Sequence, residues 1–334
     1  MINGTKGARK VSGAPDLTII ITVVSGKDMV SRCLDALIPQ LNFDEAEIIV
    51  PYDERAAGVG ELKEDYPFVR FHFISDGEAA VKDETGPLEH RYYDRRRAVG
   101  LALARAPLIA MTEDHAIPAS DWCRRIIEAH RQPYAVIGGA IDNGVDAALN
   151  WAIYYCDFGR YGRPFSGRLA EYASDVNISY KRSALEAIRD LWRFAYHETT
   201  VNWTLLSRGE EIFLDPSIVV YQHRPPITFA QAYRERIEWG RVFAETRVAA
   251  CTRWQRLFYA ACAPLLPVLL LSRVSRHMIR QRRSFRQMAK TLPLASLLLT
   301  GWALGELSGY IAGRTVHQAA GCAIKPEIEQ AGKC

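Results

Sequence analysis

The stretch from Leu17 to Val24 limits the possible folds more than any other feature of this sequence. It is almost continuously apolar and rich in β-branched residues. Such a strand is typical of a parallel sheet that helices cover on both faces. Further elements follow, with strands at 46–51, 69–74 and 108–112 and helical patterns at 30–41 and 92–106. This alternation predicts a doubly wound α/β domain that binds ligands at the carboxyl ends of its strands.

Three polar residues close the apolar strand at 108–112. On an extended chain, Glu113 and His115 point to one side and Asp114 points to the other. A carboxylate and an imidazole on one side of a strand end are suited to a divalent cation. Taken alone, the segment is better explained by a charged turn that caps a buried strand. Asp53 follows the strand at 46–51 and is expected at the same edge of the sheet.

Several classes of protein are disfavoured by the motifs that the sequence lacks. No G-x-G-x-x-G follows the first strand and no G-x-x-x-x-G-K-[ST] occurs, which disfavours a dinucleotide-binding dehydrogenase and a P-loop ATPase. The seven cysteines are scattered and include no C-x-x-C pair. This argues against a zinc ribbon or a disulfide framework and fits a reducing compartment. Nucleic acid is not expected among the partners.

Several segments follow the order and approximate spacing of a known enzyme family. They are the first strand and helix, Asp53, Arg97–Gly100, Thr112–Pro118, Val176–Arg182 and His197-Glu198, with Leu205, Gly209 and Pro216 downstream. With these motifs, residues 16–225 resemble the family 2 glycosyltransferases of the GT-A fold. The segment Thr112–Pro118 stands where that family has its D-x-D metal motif, here with Glu113 and His115 at the outer positions. Ala98 and His197 depart from the usual residues of the family.

The resemblance implies a role for each candidate site residue. These residues are Glu113, His115 and His223 for a divalent cation; Thr22, Asp53, Arg97 and Asp114 for a nucleotide-sugar donor; and Glu198 for the acceptor proton. The cation would be Mn²⁺ or Mg²⁺, and an imidazole ligand favours Mn²⁺. Simpler interpretations stay open: Arg97 as a helix-surface arginine, Glu198 as a first-turn helix glutamate and His223 as a structural histidine. A lipid phosphate acceptor would need no base, because its oxygen is already ionised.

The C-terminal quarter combines positive charge with long apolar runs. Residues 231–290 contain 13 Arg and Lys against three Glu, so this part carries +10 and the rest of the chain about −6. A basic amphipathic helix is predicted at 227–256, and apolar runs at 257–272 and 291–313 flank a loop with seven basic residues and no acid. The positive-inside rule places this loop on the cytosolic side, which predicts a shallow or re-entrant membrane hairpin. Two transmembrane helices and two buried core helices remain the alternatives.

The predicted organisation has five parts. They are a flexible leader (1–15), a GT-A catalytic domain (16–226), a basic interface helix (227–256), membrane-associated helices (257–313) and a disordered tail (314–334). In fold class this is a GT-A type, doubly wound mixed α/β sheet flanked by helices, followed by an all-α hydrophobic region. The predicted function is metal-dependent, inverting sugar transfer from a nucleotide-sugar to a hydroxyl of a glycan or lipid-linked acceptor. The predicted location is the cytoplasmic face of the inner or plasma membrane. The alternatives are transfer to polyprenyl phosphate and a catalytically silent sugar-nucleotide-binding or scaffold protein.

Overall fold

The computed structural model describes residues 15–41, 46–75, 88–248 and 251–313. Nearly all of the predicted leader and the whole predicted tail at 314–334 lie outside these residues. The described residues form two compact units. The first unit contains residues 15–41, 46–75, 93–144 and 163–225, and the second contains 88–92, 145–162, 226–248 and 251–313.

Nine strands form one mixed sheet in the first unit. They are β1 (Leu17–Thr22), β2 (Ala46–Tyr52), β3 (Arg70–Phe73), β4 (Leu108–Glu113), β5 (Ala116–Pro118), β6 (Val136–Asn143), β7 (Arg168–Ala170), β8 (Asn177–Lys181) and β9 (Ile212–Gln222). The order across the sheet is β3-β2-β1-β4-β8-β6-β9-β5, and β7 pairs with β9 off this path. The first four strands are parallel, whereas β8 is antiparallel to both β4 and β6. This mixed sheet, flanked by helices, confirms the predicted α/β fold class.

The described residues also form eleven α-helices. They are α1 (Lys27–Leu37), α2 (Leu88–Leu103), α3 (Trp122–Ala129), α4 (Ala148–Asp157), α5 (Arg182–Glu186), α6 (Arg189–Trp192), α7 (Glu198–Ser207), α8 (Phe229–Val248), α9 (Arg253–Cys262), α10 (Leu266–Arg280) and α11 (Phe285–Ala312). Short 3-10 segments occupy Ile38–Gln40, Glu54–Lys63 and Ala263–Leu265.

Strand β1 lies in the middle of the parallel part of the sheet and is buried along its whole length. Its register places Thr22 opposite Glu113, the last residue of β4. The Asp114 N–H then donates a hydrogen bond to the Thr22 carbonyl at 3.1 Å. The polar turn after β4 therefore lies against the carboxyl end of β1, where α/β sheets bind their ligands.

By sequence, two short strands are predicted at 211–214 and 218–221, around a turn at Asp215-Pro216, and strand β9 shows that this prediction is wrong. It is one strand of 11 residues, and its pairing with β6 passes from Asp215 directly to Val219, which leaves a bulge between them. Proline has no N–H to donate to a neighbouring strand, and a bulge removes the need for one. Within the bulge, Ser217 N–H donates to Asp215 Oδ1 at 2.8 Å.

The aromatic segment at 150–173 is compatible, by sequence, with a substrate-facing loop or with a hydrophobic packing layer. Its first part belongs to α4, where Trp151, Tyr154 and Tyr155 lie about one turn apart and are buried. The Tyr155 hydroxyl donates to Gln281 Oε1 at 2.7 Å within the second unit. These aromatic residues therefore form a packing layer, which the helical i, i+3, i+4 spacing explains.

Helices α8 and α11 pack at short distance in the second unit because glycines face the neighbouring helix. A side chain at Gly305 would clash with the carbonyl of Ile237. Glu306, which interrupts the second apolar run, is buried and accepts hydrogen bonds from Trp302 Nε1 at 2.5 Å and from the Tyr310 hydroxyl at 3.0 Å. The acid is thus satisfied inside the protein.

The single helix predicted at 227–256 is divided into α8 and α9. Helix α9 begins at Arg253, and its N-cap Thr252 forms a reciprocal capping box with Gln255. Two 28-residue segments, Arg253–Arg280 and Phe285–Ala312, are long and apolar enough to cross a membrane by length and composition. Only 11% of the apolar window of the first is buried, against 50% for the second. The first segment therefore exposes a larger share of its apolar residues than the second.

Candidate functional site

Asp114 binds the backbone of the loop between β1 and α1. Its side chain is fully buried, and Oδ2 accepts hydrogen bonds from the N–H groups of Val24 (3.0 Å), Ser25 (2.7 Å) and Gly26 (2.9 Å). Gly26 has a φ of +99°, which residues with a side chain rarely adopt, and this turn directs the three N–H groups to one oxygen. The resemblance implies a contact between Asp114 and the donor, whereas the structure places its carboxylate beneath the loop.

Glu113 and His115 lie side by side, as the strand alternation predicts. Glu113 Oε2 is 3.3 Å from His115 Nε2, and His115 Nδ1 is 3.1 Å from Asp114 Oδ1 and 3.0 Å from Ser25 Oγ. Burial lowers the pKa of His115, but the hydrogen bond with Asp114 and the charges of both acids outweigh it, so that the pKa is raised. The two carboxylates therefore stabilise positive charge at this position.

Arg97 lies at the centre of a cluster of acids. It is 4% exposed, and its Nη2 lies 2.8 Å from Glu113 Oε1 and 2.9 Å from Asp175 Oδ2. Nη1 is 3.3 Å from Asp94 Oδ1. Within the described residues, Nε is buried without a hydrogen-bond partner. The guanidinium that the resemblance assigns to the diphosphate is thus held by three carboxylates from α2, β4 and the segment before β8.

Asp53 is paired with the arginine that precedes Arg97. Arg96 donates from Nε to Asp53 Oδ2 at 2.9 Å and from Nη2 to Oδ1 at 2.6 Å, and both residues are buried. Arg96 Nη1 also donates to the carbonyl of Val23. This pair ties the end of β2 to the end of β1. Any contact of Asp53 with a nucleotide base has to be made beside this ion pair.

Glu198 is the first residue of α7, and both of its carboxyl oxygens accept hydrogen bonds. Oε2 accepts from the Tyr172 hydroxyl and Oε1 accepts from the Asp175 N–H at 2.7 Å. Burial and the neighbouring charge of Asp175 raise the pKa of Glu198 well above its ordinary value. Burial thus disfavours the carboxylate, whereas the hydrogen bonds from Tyr172 and Asp175 favour it.

Asp175 is a site residue that the sequence reasoning missed. Burial raises its pKa to about 6, with the carboxylates of Glu113 and Asp94 adding to the increase and Arg97 opposing it. The sequence gives one signal for this role: Asp175 lies two residues before Asn177, the first residue of β8. Its partners are far away in sequence, so their convergence appears only in the folded chain.

His197 and Asp94 form a second contact that sequence reasoning missed. His197 is the N-cap of α7, and its Nδ1 lies 3.0 Å from Asp94 Oδ2. The His197 side chain is 40% exposed, whereas that of Asp94 is 15% exposed. This is the geometry of an imidazole oriented by a carboxylate.

The two remaining candidates, Thr22 and His223, lie close to the turn after β4. Thr22 is fully buried, and its Oγ1 has no hydrogen-bond partner within the part of the chain that the structure describes. His223 donates its backbone N–H to the His115 carbonyl at 2.7 Å. Burial, with the positive charges of Arg32 and His115, lowers the pKa of His223 and favours a neutral imidazole.

The residues at this edge fit a divalent cation that shares its ligands with a second molecule. Glu113 and His115 offer a carboxylate oxygen and an imidazole nitrogen, a combination that suits Mn²⁺. Across the described ranges, no three His, Cys, Asp or Glu side chains converge on one cation position. Mg²⁺ in nucleotide sites commonly takes one or two carboxylates and completes its shell with phosphates and water. The pair therefore suits a cation bound together with a diphosphate.

No family model and no curated protein matches the chain. Among solved structures, the chain is similar to the mannosyltransferase PcManGT from Pyrobaculum calidifontis in complex with GDP-Man and Mn²⁺. The similarity has a TM-score of 0.46 and 15% sequence identity, and it covers 93% of this chain and 78% of that chain.

Proposed function

We propose that the first unit transfers a sugar from a nucleotide-sugar donor to a hydroxyl group of an acceptor. The observation that carries the proposal is the pair of Glu113 and His115 at the carboxyl end of β4, with the contacting nitrogen and oxygen 3.3 Å apart. The pair lies beside the loop that Asp114 holds, at the edge of the sheet where nucleotide ligands bind in α/β folds. The sequence resemblance to GT-A glycosyltransferases supports the same proposal.

The chemistry of the reaction explains the residues that the site contains. Sugar transfer leaves a nucleoside diphosphate whose negative charge grows in the transition state, and a bound divalent cation would neutralise part of that charge. Glu113 and His115 would hold this cation. Arg97 keeps Glu113 in place through its 2.8 Å contact, and Asp114 shapes the loop around the donor phosphates. Thr22 and Asp53 remain the candidates for contacts with the nucleoside.

Direct displacement by the acceptor oxygen inverts the anomeric centre. The acceptor hydroxyl has to lose its proton as it attacks, so a base has to lie within hydrogen-bond reach. The resemblance assigns this role to Glu198. A polyprenyl phosphate acceptor would need no base, because its oxygen carries a negative charge already. The dependence of turnover on a base therefore reports on the kind of acceptor.

The second unit supports a place for the enzyme at a membrane. Several large apolar side chains of α9, the following 3-10 turn and α10 are exposed, among them Trp254, Phe258, Leu265 and Val268. The second half of helix α10 carries Arg273, Arg276 and Arg280, whose charges suit anionic headgroups of the cytosolic leaflet. We place this segment and the second apolar run, 291–313, at the cytosolic face of the membrane as a shallow or re-entrant hairpin, and we retain two membrane-crossing helices as the alternative.

A sugar-nucleotide-binding protein without transferase activity is the second candidate function. Both carboxyl oxygens of Glu198 already accept hydrogen bonds, from the Tyr172 hydroxyl and the Asp175 N–H, and burial disfavours the carboxylate that a base requires. This candidate predicts nucleotide binding without turnover.

Calorimetric titration with UDP, GDP and their sugars tests the proposal. We expect binding that tightens when Mn²⁺ replaces EDTA, and we expect this gain to be lost in Glu113→Gln. Glu210→Gln, just beyond the other end of α7, is the matched control and is expected to bind as the wild type does. Equal binding in Mn²⁺ and EDTA would contradict a role for the cation in nucleotide binding. An absence of binding for every nucleotide would contradict the proposed function.

A further inference from the structure

Three consecutive arginines of α2, at positions 95, 96 and 97, are buried at the carboxyl ends of the parallel strands, and each is at most 4% exposed. Arg96 forms an ion pair with Asp53, which follows β2. Arg97 forms one with Glu113, the last residue of β4. Among the described residues, no carboxylate lies within ion-pair distance of Arg95. The helix therefore buries one guanidinium whose charge these residues leave uncompensated.

The guanidinium of Arg95 uses little of its capacity to donate hydrogen bonds. Nη2 donates to the Ser75 carbonyl at 2.6 Å. Nε is buried and has no hydrogen-bond partner in the part of the chain that the structure describes. An arginine carries five N–H donors, and burial of a charged donor without an acceptor is costly. Such a group is expected where a bound molecule supplies the missing acceptor.

Arg95 lies at the ends of β2 and β3, close to Asp53. Its partner Ser75 follows Ile74, and the Ile74 N–H donates to the Tyr52 carbonyl at 2.8 Å. Asp53 follows Tyr52 directly, so one backbone hydrogen bond joins the chain at Ser75 to the chain at Asp53. All of these residues belong to the first unit. A molecule that supplies the acceptor for Arg95 therefore lies beside Asp53.

The order of the strands indicates which part of the donor reaches this position. Strands β3, β2, β1 and β4 are neighbours in that order, and at about 4.8 Å per strand the ends of β3 and β4 are roughly 14 Å apart. The proposed cation and diphosphate lie at the end of β4. Asp175 and Glu198, the acids on the proposed acceptor side, lie near the start of β8, on the opposite side of β4 from β3. The nucleoside is therefore the part that extends toward β2 and β3.

We infer that Arg95 recognises the base of the nucleotide donor and selects a base that carries a ring carbonyl. The inference rests on the proposed function. A guanidinium can only donate hydrogen bonds. Uracil presents O4 as an acceptor and guanine presents O6 and N7, whereas cytosine and adenine have an amino group in place of the carbonyl. Arg95 thus favours UDP- and GDP-sugars over CDP- and ADP-sugars.

The burial of Arg95 increases the expected preference. A carbonyl base supplies an acceptor to a buried donor, whereas an amino base places a second donor against the guanidinium. A well-placed arginine distinguishes between bases by roughly 5- to 150-fold. Asp53 is less suited to this selection, because both of its oxygens already accept hydrogen bonds from Arg96.

Calorimetric titration of the full chain in Mn²⁺ with two matched pairs of nucleotides tests the inference. UDP and CDP form one pair, and the inosine nucleotide IDP and ADP form the other; within each pair a ring carbonyl replaces an amino group. Because both members carry the same diphosphate, the ratio of their Kd values reports on the base. The variants are Arg95→Met and Arg95→Lys. Arg131→Gln, at an exposed position after α3, is the matched control.

We expect the wild type to bind UDP or IDP at least about 10-fold more tightly than the amino partner. Arg95→Met is expected to remove most of this preference. Arg95→Lys keeps the positive charge but lacks the planar fork of donors, so it is expected to bind the diphosphate and to lose most of the preference as well. Arg131→Gln is expected to keep the wild-type ratios. The tighter of UDP and GDP then identifies the base.

Thermal melting without nucleotide separates recognition of the base from support of the fold. Arg95→Met removes a buried charge that has no carboxylate partner among the described residues, so it is expected to melt at the wild-type temperature or above. Arg96→Met leaves Asp53 buried without its partner and is expected to melt at a lower temperature. A purely structural Arg95 would instead give a lower melting temperature in Arg95→Met, with unchanged Kd ratios.

Two results would overturn the inference and leave the proposed function standing. The first is a wild type that binds nucleotides without preference for the carbonyl bases. The second is an Arg95→Met variant that keeps the wild-type preference, since Arg95 would then make no contact that selects the base. A folded wild type that binds no nucleotide contradicts the proposed function itself, and the inference fails with it.

Discussion

Arg96 binds Asp53 through two nitrogens, at 2.9 Å and 2.6 Å, and neither side chain has much contact with water. The pair joins the ends of β1 and β2 at the edge where the donor is proposed to bind. A buried ion pair of this geometry is difficult to break, because removal of one partner leaves the other charged and without compensation. Asp53 therefore supports the site structurally, whatever contact it makes with a nucleotide.

The Arg96–Asp53 pair predicts a large loss of stability in Asp53→Asn. The substitution leaves the Arg96 guanidinium buried without its counter-charge, at a cost of about 3–5 kcal/mol in the free energy of unfolding. Urea denaturation followed by circular dichroism measures the change. The control is Glu61→Gln, which removes the exposed ion pair with Lys27 and is expected to change stability little. An Asp53→Asn variant as stable as the wild type would show that the pair contributes nothing to the fold.

Substitutions of the adjacent acids Glu113 and Asp114 are predicted to have different effects on stability. Asp114→Ala removes the oxygen that accepts three backbone N–H groups, so we expect a loss of about 3 kcal/mol or more in unfolding free energy together with lost donor binding. Glu113→Gln is expected to keep most of the stability, because Arg97 still has Asp175 and Asp94 as partners. Thermal melting and calorimetric donor titration of both variants check this. Equal melting temperatures for the two variants would refute the structural role of Asp114.

His130 makes a predictable contribution to the pH dependence of stability. Its Nε2 lies 2.9 Å from Ser179 Oγ, and burial, with the charge of Lys181, lowers its pKa to about 4. An unfolded histidine titrates near about 6.5, so between these values the unfolded state binds more protons than the folded state. Stability from this group is therefore complete above pH about 6.5 and is lost as the pH falls toward 4, by about 3 kcal/mol.

Comparison of the wild type with His130→Gln isolates this contribution. Urea denaturation at a series of pH values between 7 and 4 gives the difference in unfolding free energy between the two proteins. We expect this difference to shrink by about 3 kcal/mol as the pH falls, since only the wild type has the titrating imidazole. A difference that stays constant over this range would show that His130 titrates normally in the folded protein.

The exposed surface of α9 and α10 predicts binding to lipid that resists high salt. Leu265 and Val268 are 67% and 73% exposed, and burial of such a side chain in the bilayer contributes roughly 1.5–3 kcal/mol. The double variant Leu265→Glu, Val268→Glu is expected to weaken binding to anionic vesicles at least about 100-fold. Leu169→Glu, at a 54% exposed position on β7, is the matched control. Sedimentation with vesicles in 1 M salt measures the fraction of protein that stays bound when charge attraction is screened. Full release of the wild type from the vesicles would contradict an embedded segment.

The strand pattern was enough to predict the first strands and the α/β class of the fold. The continuous apolar run at Leu17 marks a strand buried on both faces, and this burial holds along the whole of β1. The alternation after β4 likewise predicts that Glu113 and His115 share one side, and their side chains are in contact. Both inferences use only neighbours in sequence, and this explains their success.

Contacts between distant segments could not be predicted in this way. Asp175 lies 78 residues from Arg97, and the loop N–H groups that Asp114 binds come from 88 to 90 residues earlier. Nothing local to either residue specifies these partners. The bulge in β9 could not be predicted for a similar reason. Pro216 indicates a turn by its local sequence, whereas pairing with β6 continues on both sides of it. Tertiary pairing here outweighs the local signal of proline.

Turnover of a nucleotide-sugar in the presence and absence of a cation tests the central claim most directly. Release of UDP or GDP from a panel of UDP- and GDP-sugars is measured for the wild type in Mn²⁺, in Mg²⁺ and in EDTA, with Glu113→Gln and Glu210→Gln in parallel. We predict release from at least one donor in Mn²⁺, its loss in EDTA and in Glu113→Gln, and its retention in Glu210→Gln. A folded wild type that releases no diphosphate from any donor, or releases it equally well in EDTA, would contradict metal-dependent sugar transfer.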